Sequence, residues 1–409
     1  MTMKDPSPAR GAAPKLEPGD EIARIRRGAV DLVTEADLLK KLRRGRPLRV
    51  KLGLDPTSPD IHLGHTVVLN KLRQFQDLGH QAVLIIGDAT ALVGDPSGKD
   101  RTRPMLSPEA IEANLKTYLE QVRHVLDTAR LEIVHNGDWF KTMTLPDVAR
   151  LTSHMSVARM LERDTFEKRL AAGDPIAVHE FLYPLMQAYD SVMVKADVEL
   201  GGTDQLFNLV TGRDIQRAYG QEPQVCVTTP IIEGLDGVQK MSKSLGNTVG
   251  LTDPPGEMFG KLMSIPDSLI EKYLTLLTTV PAETIRRLLA ASENPRDAKA
   301  HLARTIVDRF HGEGRGREAE DAFVRVFSEK QAPESMEEVD LGAERRIWIV
   351  KLVLAARLAP SGSEARRLVE QGAVTIDGQP VTDPKAEVPL HSGAVLKVGK
   401  RRFARIRLR

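Results

Sequence analysis

The chain has 409 residues, long enough for two or three domains with sizeable cores. Its single cysteine, Cys226, excludes an internal disulfide and a cysteine zinc cluster, and 4% aromatic content argues against an aromatic stacking platform. Net charge is only +2, yet residues 345–409 hold 14 Lys or Arg against 5 Asp or Glu, so a basic C-terminal piece on a mildly acidic body points to a polyanion partner.

The first 18 residues are rich in Pro and Ala and lack an apolar run. They are expected to form a disordered tail and not a signal peptide. No stretch approaches 18 consecutive apolar residues, so no membrane span is expected. Five short apolar runs read as buried strands: "LRVKLGL" from Leu48, "AVLIIGD" from Ala82, "LEIVHN" from Leu131, "ADVELGG" from Ala196 and "QVCVTTPII" from Gln224. Helical patterns separate them; after His65, the residues Val68, Leu69, Leu72 and Phe75 recur near one face. The alternation predicts an α/β fold, a five-stranded parallel sheet wrapped by helices over residues 19–253. Such sheets bind ligands beyond the carboxyl ends of their strands. A helical insertion is expected at about 108–190 and a helical domain at 254–329. An acidic linker is expected at 330–345, followed by a compact module at 346–409.

Polar motifs stand at those strand ends. "HLGH", from His62, opens a helix. Two imidazoles there suit zinc, plain packing or phosphate. No third ligand stands at a familiar spacing for zinc. A helix N-terminus offers free N–H groups to phosphate, and Gly64 removes a side chain where a nucleotide must approach. "GDPSGK", from Gly94, brings Ser97, Gly98 and Lys99, with Arg103 four residues beyond; alone it also reads as a solvated turn. "KMSKSLGN", from Lys240, brings Lys240 and Lys243; alone it also reads as an exposed basic loop. No Walker loop occurs. Cations from separate crossovers meeting at one sheet edge would clamp a triphosphate.

"FLYPLMQAYD", from Phe181, places Tyr183, Gln187 and Asp190 at i, i+4 and i+7, on one helical face. Leu182, Met186 and Tyr189 form an apolar stripe, so a core helix is the plain alternative. A buried Asp beside a Tyr and a Gln needs a partner, which a polar ligand would supply. Tyr183 and Gln187 could meet an ammonium, and Asp190 could accept from a hydroxyl. Near the C-terminus, "SGSEARRLVEQGAVTIDGQPV", from Ser361, reads as a helix, a turn at Gly372 and a hairpin turning on Asp377-Gly378. The tail "KVGKRRFARIRLR", from Lys397, alternates like a strand with one basic face.

"HLGH" resembles the HIGH signature of class I aminoacyl-tRNA synthetases, and "KMSKS" matches their second signature letter for letter. In this order, about 180 residues apart, the pair is specific. With "GLDPT" from Gly53, the Tyr183 segment and "GGTDQ" from Gly201, the chain is similar to the tyrosyl-tRNA synthetase family from about Ile22 to Arg409. The resemblance implies a Rossmann-type catalytic domain, a helical anticodon-side domain and a small α+β alpha-L RNA-binding domain. It implies activation of L-tyrosine with ATP to tyrosyl-adenylate and pyrophosphate, then transfer to the terminal adenosine of tRNA(Tyr). By the same resemblance His62 and His65 stabilise the α-phosphate, while Lys99, Arg103, Lys240 and Lys243 hold the leaving pyrophosphate. Asp55, Thr57, Gly64, Gly202, Asp204 and Lys243 fall on the ATP side. Lys51, Gly53, Asp95, Tyr183, Gln187, Asp190 and Gln205 fall on the tyrosine side. Arg357, Arg366, Arg367 and Lys385 are expected RNA phosphate contacts, with the salt dependence that implies.

Mg2+ accompanying ATP, no protein-bound metal, a cytoplasmic location and a homodimer joined through the inserted helices follow from the same resemblance. Tryptophanyl-tRNA synthetase is the nearest confusable relative, but an Asp deep in the pocket suits a phenol better than an indole. A site built around a hydroxyl rejects phenylalanine because its buried polar groups would be left unpaired. Two positions depart from the commonest family pattern. Lys51 stands where many members have tyrosine, and Glu199 where many have glutamine. Their opposite charges suggest that they compensate near the pocket; the alternative is that both point elsewhere. A small-molecule adenylyltransferase, or a relative that kept RNA binding and lost catalysis, are the remaining readings. The first would lack the RNA module, and the intact histidines and lysines argue against the second.

Overall fold

The computed structural model describes residues 16–56, 60–96, 107–291, 294–327, 336–399 and 402–409. Each of the five apolar runs is a strand. A two-residue strand, β1 (Leu32–Val33), precedes β2 (Arg49–Leu54), β3 (Gln81–Ile86), β4 (Leu131–His135), β5 (Val198–Gly202) and β6 (Val225–Thr229). The sheet order is β1-β6-β5-β2-β3-β4. β2 to β6 are mutually parallel; β2, β3, β5 and β6 are largely buried on both faces, whereas β4, at the sheet edge, is half-buried with Ile133 exposed. The expected five-stranded sheet gains a sixth member, because β1 adds antiparallel to the β6 edge. Two residues carry too little pattern to be read as a strand.

The registers fix one row across the sheet: Glu132, Val83, Lys51, Glu199 and Cys226 stand side by side on adjacent strands. Two residues further toward the carboxyl ends the same face carries Gly53 on β2 and Gly201 on β5. Side chains fill the sheet face at Lys51 and Glu199; the missing one opens it at Gly53, while at Gly201 it lets Gln205 and Leu209 close in.

The helix Leu63–Asp77 packs on β2, β3, β5 and β6 and buries Leu63, Val67, Leu69, Leu72 and Phe75. The helix Leu182–Met193 carries Pro184 in its first turn, where the missing N–H costs nothing. It packs on the helix Leu206–Ala218, which itself lies on β5 and β6. The residues after it, Val194 and Ala196, cluster with Val83 and Ile85 of β3. Between β4 and this helix run four short α-helices, Gly137–Phe140, Leu145–Thr152, Val157–Leu161 and Asp164–Ala172. From Pro255 to Phe327 the described residues are helical, with no strand.

The chain forms two compact units, residues 1–313 and 314–409. The second unit holds a five-stranded sheet of β7 (Glu337–Asp340), β9 (Val374–Ile376), β10 (Gln379–Pro380), β12 (Val395–Val398) and β13 (Arg402–Arg407). β8 (Arg346–Trp348) pairs separately with β11 (Glu387–Pro389). The expected linker is a linker only in part: β7, inside it, pairs parallel with β13. Its alternation of charge and Val339 hid it. The hairpin turns at Asp377 and Gly378 with φ +50° and +80°, the left-handed pair that matches strand twist. Gly372, φ +66°, follows the helix Gly362–Glu370 as anticipated. Ile349, Leu352, Val353, Val369, Val374, Leu396 and Ile406 form this unit's core.

Candidate active site

A cavity of about 300 Å³ opens at the carboxyl ends of β2 and β5, where Gly53 leaves the sheet face bare and Gly201 lets Gln205 and Leu209 pack close. A Cβ built on Gly53 would meet no atom within 4 Å, so the glycine creates room there. Tyr183, Gln187 and Asp190 do fall on one helical face and line this space together with Asp55, His65, Asp95 and Gln205.

Asp190 sits at the deep end, 3% exposed. It accepts hydrogen bonds from Trp139 Nε1 at 3.0 Å and from Asn136 Nδ2 at 3.3 Å. Burial pushes its carboxyl up to about 7, against the pull of Lys51 and of these two donors. Asn136 also donates to Thr90 Oγ1 at 3.0 Å, and Thr90 donates to Asp55 at 2.7 Å. The Tyr183 hydroxyl donates to the other Asp55 oxygen at 2.8 Å, and burial raises its own pKa well above the ordinary value. Gly87 is required beside them: a Cβ there would stand 2.0 Å from Asp55 Oδ1. Asp95 accepts from Gln205 Nε2 at 2.8 Å and lies 3.4 Å from Arg163.

The two histidines meet as the motif suggested. Their ring centroids are 3.9 Å apart. His62 caps the helix Leu63–Asp77, its Nδ1 accepting from Gly64 N at 3.2 Å, and His65 Nδ1 accepts from His62 N at 3.3 Å. With Nδ1 accepting, the proton sits on Nε2, so each ring is left with a neutral N–H donor. Burial, mutual repulsion and Lys243 depress His62 to about 3; burial and Lys243 depress His65 to about 4. Gly64 lies against this pair, since a Cβ on it would stand 2.9 Å from the His62 ring.

The lysine motif is brought to the same place. Met241 is buried with its sulfur 3.3 Å from Gly64 N, and Leu63 N donates to Val249 O at 2.9 Å. Lys240 and Lys243 remain exposed beside this contact, and Lys243 pairs with Asp60. Gly202 and Asp204 stand where β5 ends, and a Cβ on Gly202 would meet Asp204 at 2.6 Å. Thr57, Lys99 and Arg103 lie outside the described residues.

Lys51 is the exception. It does not line the cavity; it is fully buried beneath the helix Leu182–Met193 and pairs with Glu199 at 2.9 Å. The two do compensate, but behind the pocket. Residues of the site that were not anticipated include Thr90, Asn136, Trp139, Tyr118, Arg163 and Asn208. Asn136 had a readable signal, a polar residue just past the carboxyl end of a recognised strand. The others come from helices, or in the case of Arg163 from the residue just before one, whose approach to the cavity no local pattern announces.

Residues 43–328 match the family described as "tRNA synthetases class I (W and Y)", and residues 347–392 match the S4 domain. The chain is 56% identical over 394 residues to the tyrosine–tRNA ligase of Symbiobacterium thermophilum, covering 94% of this chain and 97% of that one. It is 54% identical to the tyrosine–tRNA ligase of Thermotoga maritima, covering 96% and 98%. The chain belongs to the tyrosine–tRNA ligase family. That family activates tyrosine with ATP and charges it onto tRNA, and this chain is an aminoacyl-tRNA ligase of that kind. Solved structures agree in fold. A C-terminally truncated mitochondrial tyrosyl-tRNA synthetase from Aspergillus nidulans aligns with TM-score 0.63 and 23% identity, over 75% of this chain and 94% of that one. The tyrosyl-tRNA synthetase of Archaeoglobus fulgidus, solved with L-tyrosine, aligns with TM-score 0.60 and 22% identity, over 74% and 99%.

In the S4 unit, Arg357, Arg366, Arg367 and Lys385 are all exposed. Arg366 lies 5.6 Å over the Trp348 ring, and Arg367 pairs with Glu364. No described helix is long and apolar enough to cross a membrane.

Proposed function

We propose that the cavity holds tyrosine with its phenol at Asp190 and its ammonium among Tyr183, Gln187 and Asp95. One observation carries this reading: the Tyr183–Gln187–Asp190 face, Asp95 and His65 surround a single space whose floor is glycine. ATP lies over the start of the helix Leu63–Asp77, within reach of Gly202 and Asp204. The tyrosine carboxylate attacks the α-phosphate; a carboxylate O–P bond forms as the bond to pyrophosphate breaks. Neutral Nε2–H donors of His62 and His65 bond the oxygens on which charge gathers. They add no formal charge that a ground-state triphosphate would bind equally well. Lys240 and Lys243, on an exposed segment anchored by Met241, take up the leaving pyrophosphate, with Lys99 and Arg103 in the same role. A ribose hydroxyl of the tRNA terminal adenosine then attacks the activated carbonyl and AMP departs. No protein nucleophile takes part.

Among the described residues no three His, Cys, Asp or Glu side chains cluster as a metal site. Mg2+ would be carried by ATP phosphates and water. The exposed cations of the S4 unit contact the tRNA backbone, with Arg366 held ready by Trp348. The molecule works as a cytoplasmic homodimer. Leu145 and Val178 are 81% and 80% exposed, and Val157, Leu170 and Met193 nearby are also exposed. Amino-acid-dependent ATP–pyrophosphate exchange without tRNA, run across all twenty amino acids, tests the reading. Exchange with tyrosine alone supports it. Exchange with another amino acid overturns the role given to Asp190.

A further inference from the structure

Lys51 and Glu199 are neighbours on β2 and β5, fully buried, with Nζ and Oε1 2.9 Å apart. Burying two charges is expensive unless their remaining hydrogen-bonding capacity is met. Here it is met by the helix that carries the pocket residues. Lys51 Nζ donates to Gln187 O at 2.7 Å and to Ser191 Oγ at 2.7 Å. Glu199 accepts from Gln187 Nε2 at 3.0 Å, from Ser191 Oγ at 3.2 Å and from Gln224 Nε2.

The consequence falls on Gln187. A carboxylate can only accept, so it draws the nitrogen end of the Gln187 amide toward the sheet. The oxygen end is thereby turned to the other side, where it accepts from Asn208 Nδ2 at 2.9 Å. Asn208 also donates to Gln205 Oε1 at 2.9 Å, and Gln205 donates to Asp95 at 2.8 Å. Gln187, Gln205 and Asp95 line the cavity, whereas Glu199 and Lys51 do not. An unbroken hydrogen-bonded chain thus runs from a charge pair behind the pocket to its acceptor groups.

We propose that Lys51 and Glu199 form a positioning pair that locks the Gln187 amide with its oxygen toward the substrate ammonium. The proposal rests on the reading of the cavity as the tyrosine site. Glu199 supplies the directionality, because a neutral amide in its place could donate as well as accept and would let Gln187 turn over. Lys51 braces Glu199 at 2.9 Å and carries donors alone, so nothing behind the carboxylate competes with it for the Gln187 nitrogen. Ser191 completes the lock by receiving from the one and donating to the other.

The test is binding of two probes to the full-length protein by calorimetry: L-tyrosine, and 3-(4-hydroxyphenyl)propionate, which keeps the phenol and carboxylate and lacks the ammonium. In Glu199→Gln and in Lys51→Met the affinity for tyrosine should fall by about ten- to a hundredfold. Affinity for the deaminated probe should change by less than about threefold, which also reports an intact pocket. The double variant should lose no more than either single one, because the lock is lost only once. It buries no net charge, so it carries the test if a single variant fails to fold. Equal losses for both probes, unchanged tyrosine affinity in the folded double variant, or additive losses would each overturn the proposal. Failure of the wild-type protein to bind tyrosine would instead overturn the reading of the cavity.

Discussion

Replacing Asp190 with asparagine should stabilise the catalytic unit at neutral and alkaline pH while weakening tyrosine binding. The carboxyl is raised from 3.8 to about 7, chiefly by burial. Between those two values the folded protein holds a proton that the unfolded chain has released. Stability therefore falls as pH rises through this window and is level outside it. The displacement corresponds to roughly 4 kcal/mol in full. Asparagine does not titrate and escapes this cost. It also turns an NH2 group toward either Trp139 Nε1 or Asn136 Nδ2, a donor-to-donor contact costing about 1–3 kcal/mol. The variant should thus be level with or below wild type at pH 5 and above it at pH 8, the difference growing by roughly 3 kcal/mol across that range. Urea titrations followed by the fluorescence of Trp139, in a Trp348→Phe background, would measure it, since these are the chain's 2 tryptophans. A difference that does not change with pH would refute the account of Asp190 as a carboxyl forced toward neutrality. Tyrosine affinity should fall at least about tenfold, because the phenol loses a charged acceptor.

Other consequences are equally direct. With His62 near 3 and His65 near 4, pyrophosphate exchange should show no imidazole titration between pH 6 and 8, and removing either ring should cost roughly a hundredfold or more. Activity lost as pH rises through about 6.5 would mean that a charged ring is required, whereas activity gained toward about 7 would report Asp190. Gly53→Val should fold, since its Cβ meets open space, yet abolish tyrosine binding by filling the cavity; normal tyrosine affinity would place the ligand elsewhere. Arg366→Ala should weaken tRNA binding, reduce its salt slope by about one and leave tyrosine-dependent exchange untouched. Leu145→Asp with Val178→Asp should turn a dimer into a monomer by sedimentation; an unchanged dimer would move the interface away from the inserted helices.

Much of the scaffold was legible because burial on both faces writes a long apolar run into a parallel strand. All five such runs are strands. The four that escaped notice, β1, β7, β8 and β11, are each paired on one side alone, and such a strand can be short or charged. The histidine and lysine motifs were legible because phosphate chemistry demands a few residue types at a helix start and on a cationic loop. Tyr183, Gln187 and Asp190 were legible because helical periodicity is local. Trp139 and Arg163 were not, since what makes them part of the site is distance in three dimensions.

By itself the sequence determined the layer architecture, the location of the ligand edge and the chemical type of the groups there. Those follow from periodicity and from the few side chains able to bind phosphate, an ammonium or a phenol. The tertiary structure decided which of those groups reach the ligand. The opposite charges of Lys51 and Glu199 were legible in the sequence, but not whether they face the ligand. Only the register of β2 against β5, and the helix laid across that row, turn them from pocket contacts into a buried pair that aims Gln187. A one-residue offset moves a strand side chain to the opposite face of its sheet, and no local pattern encodes where the neighbouring strand's glycines will fall.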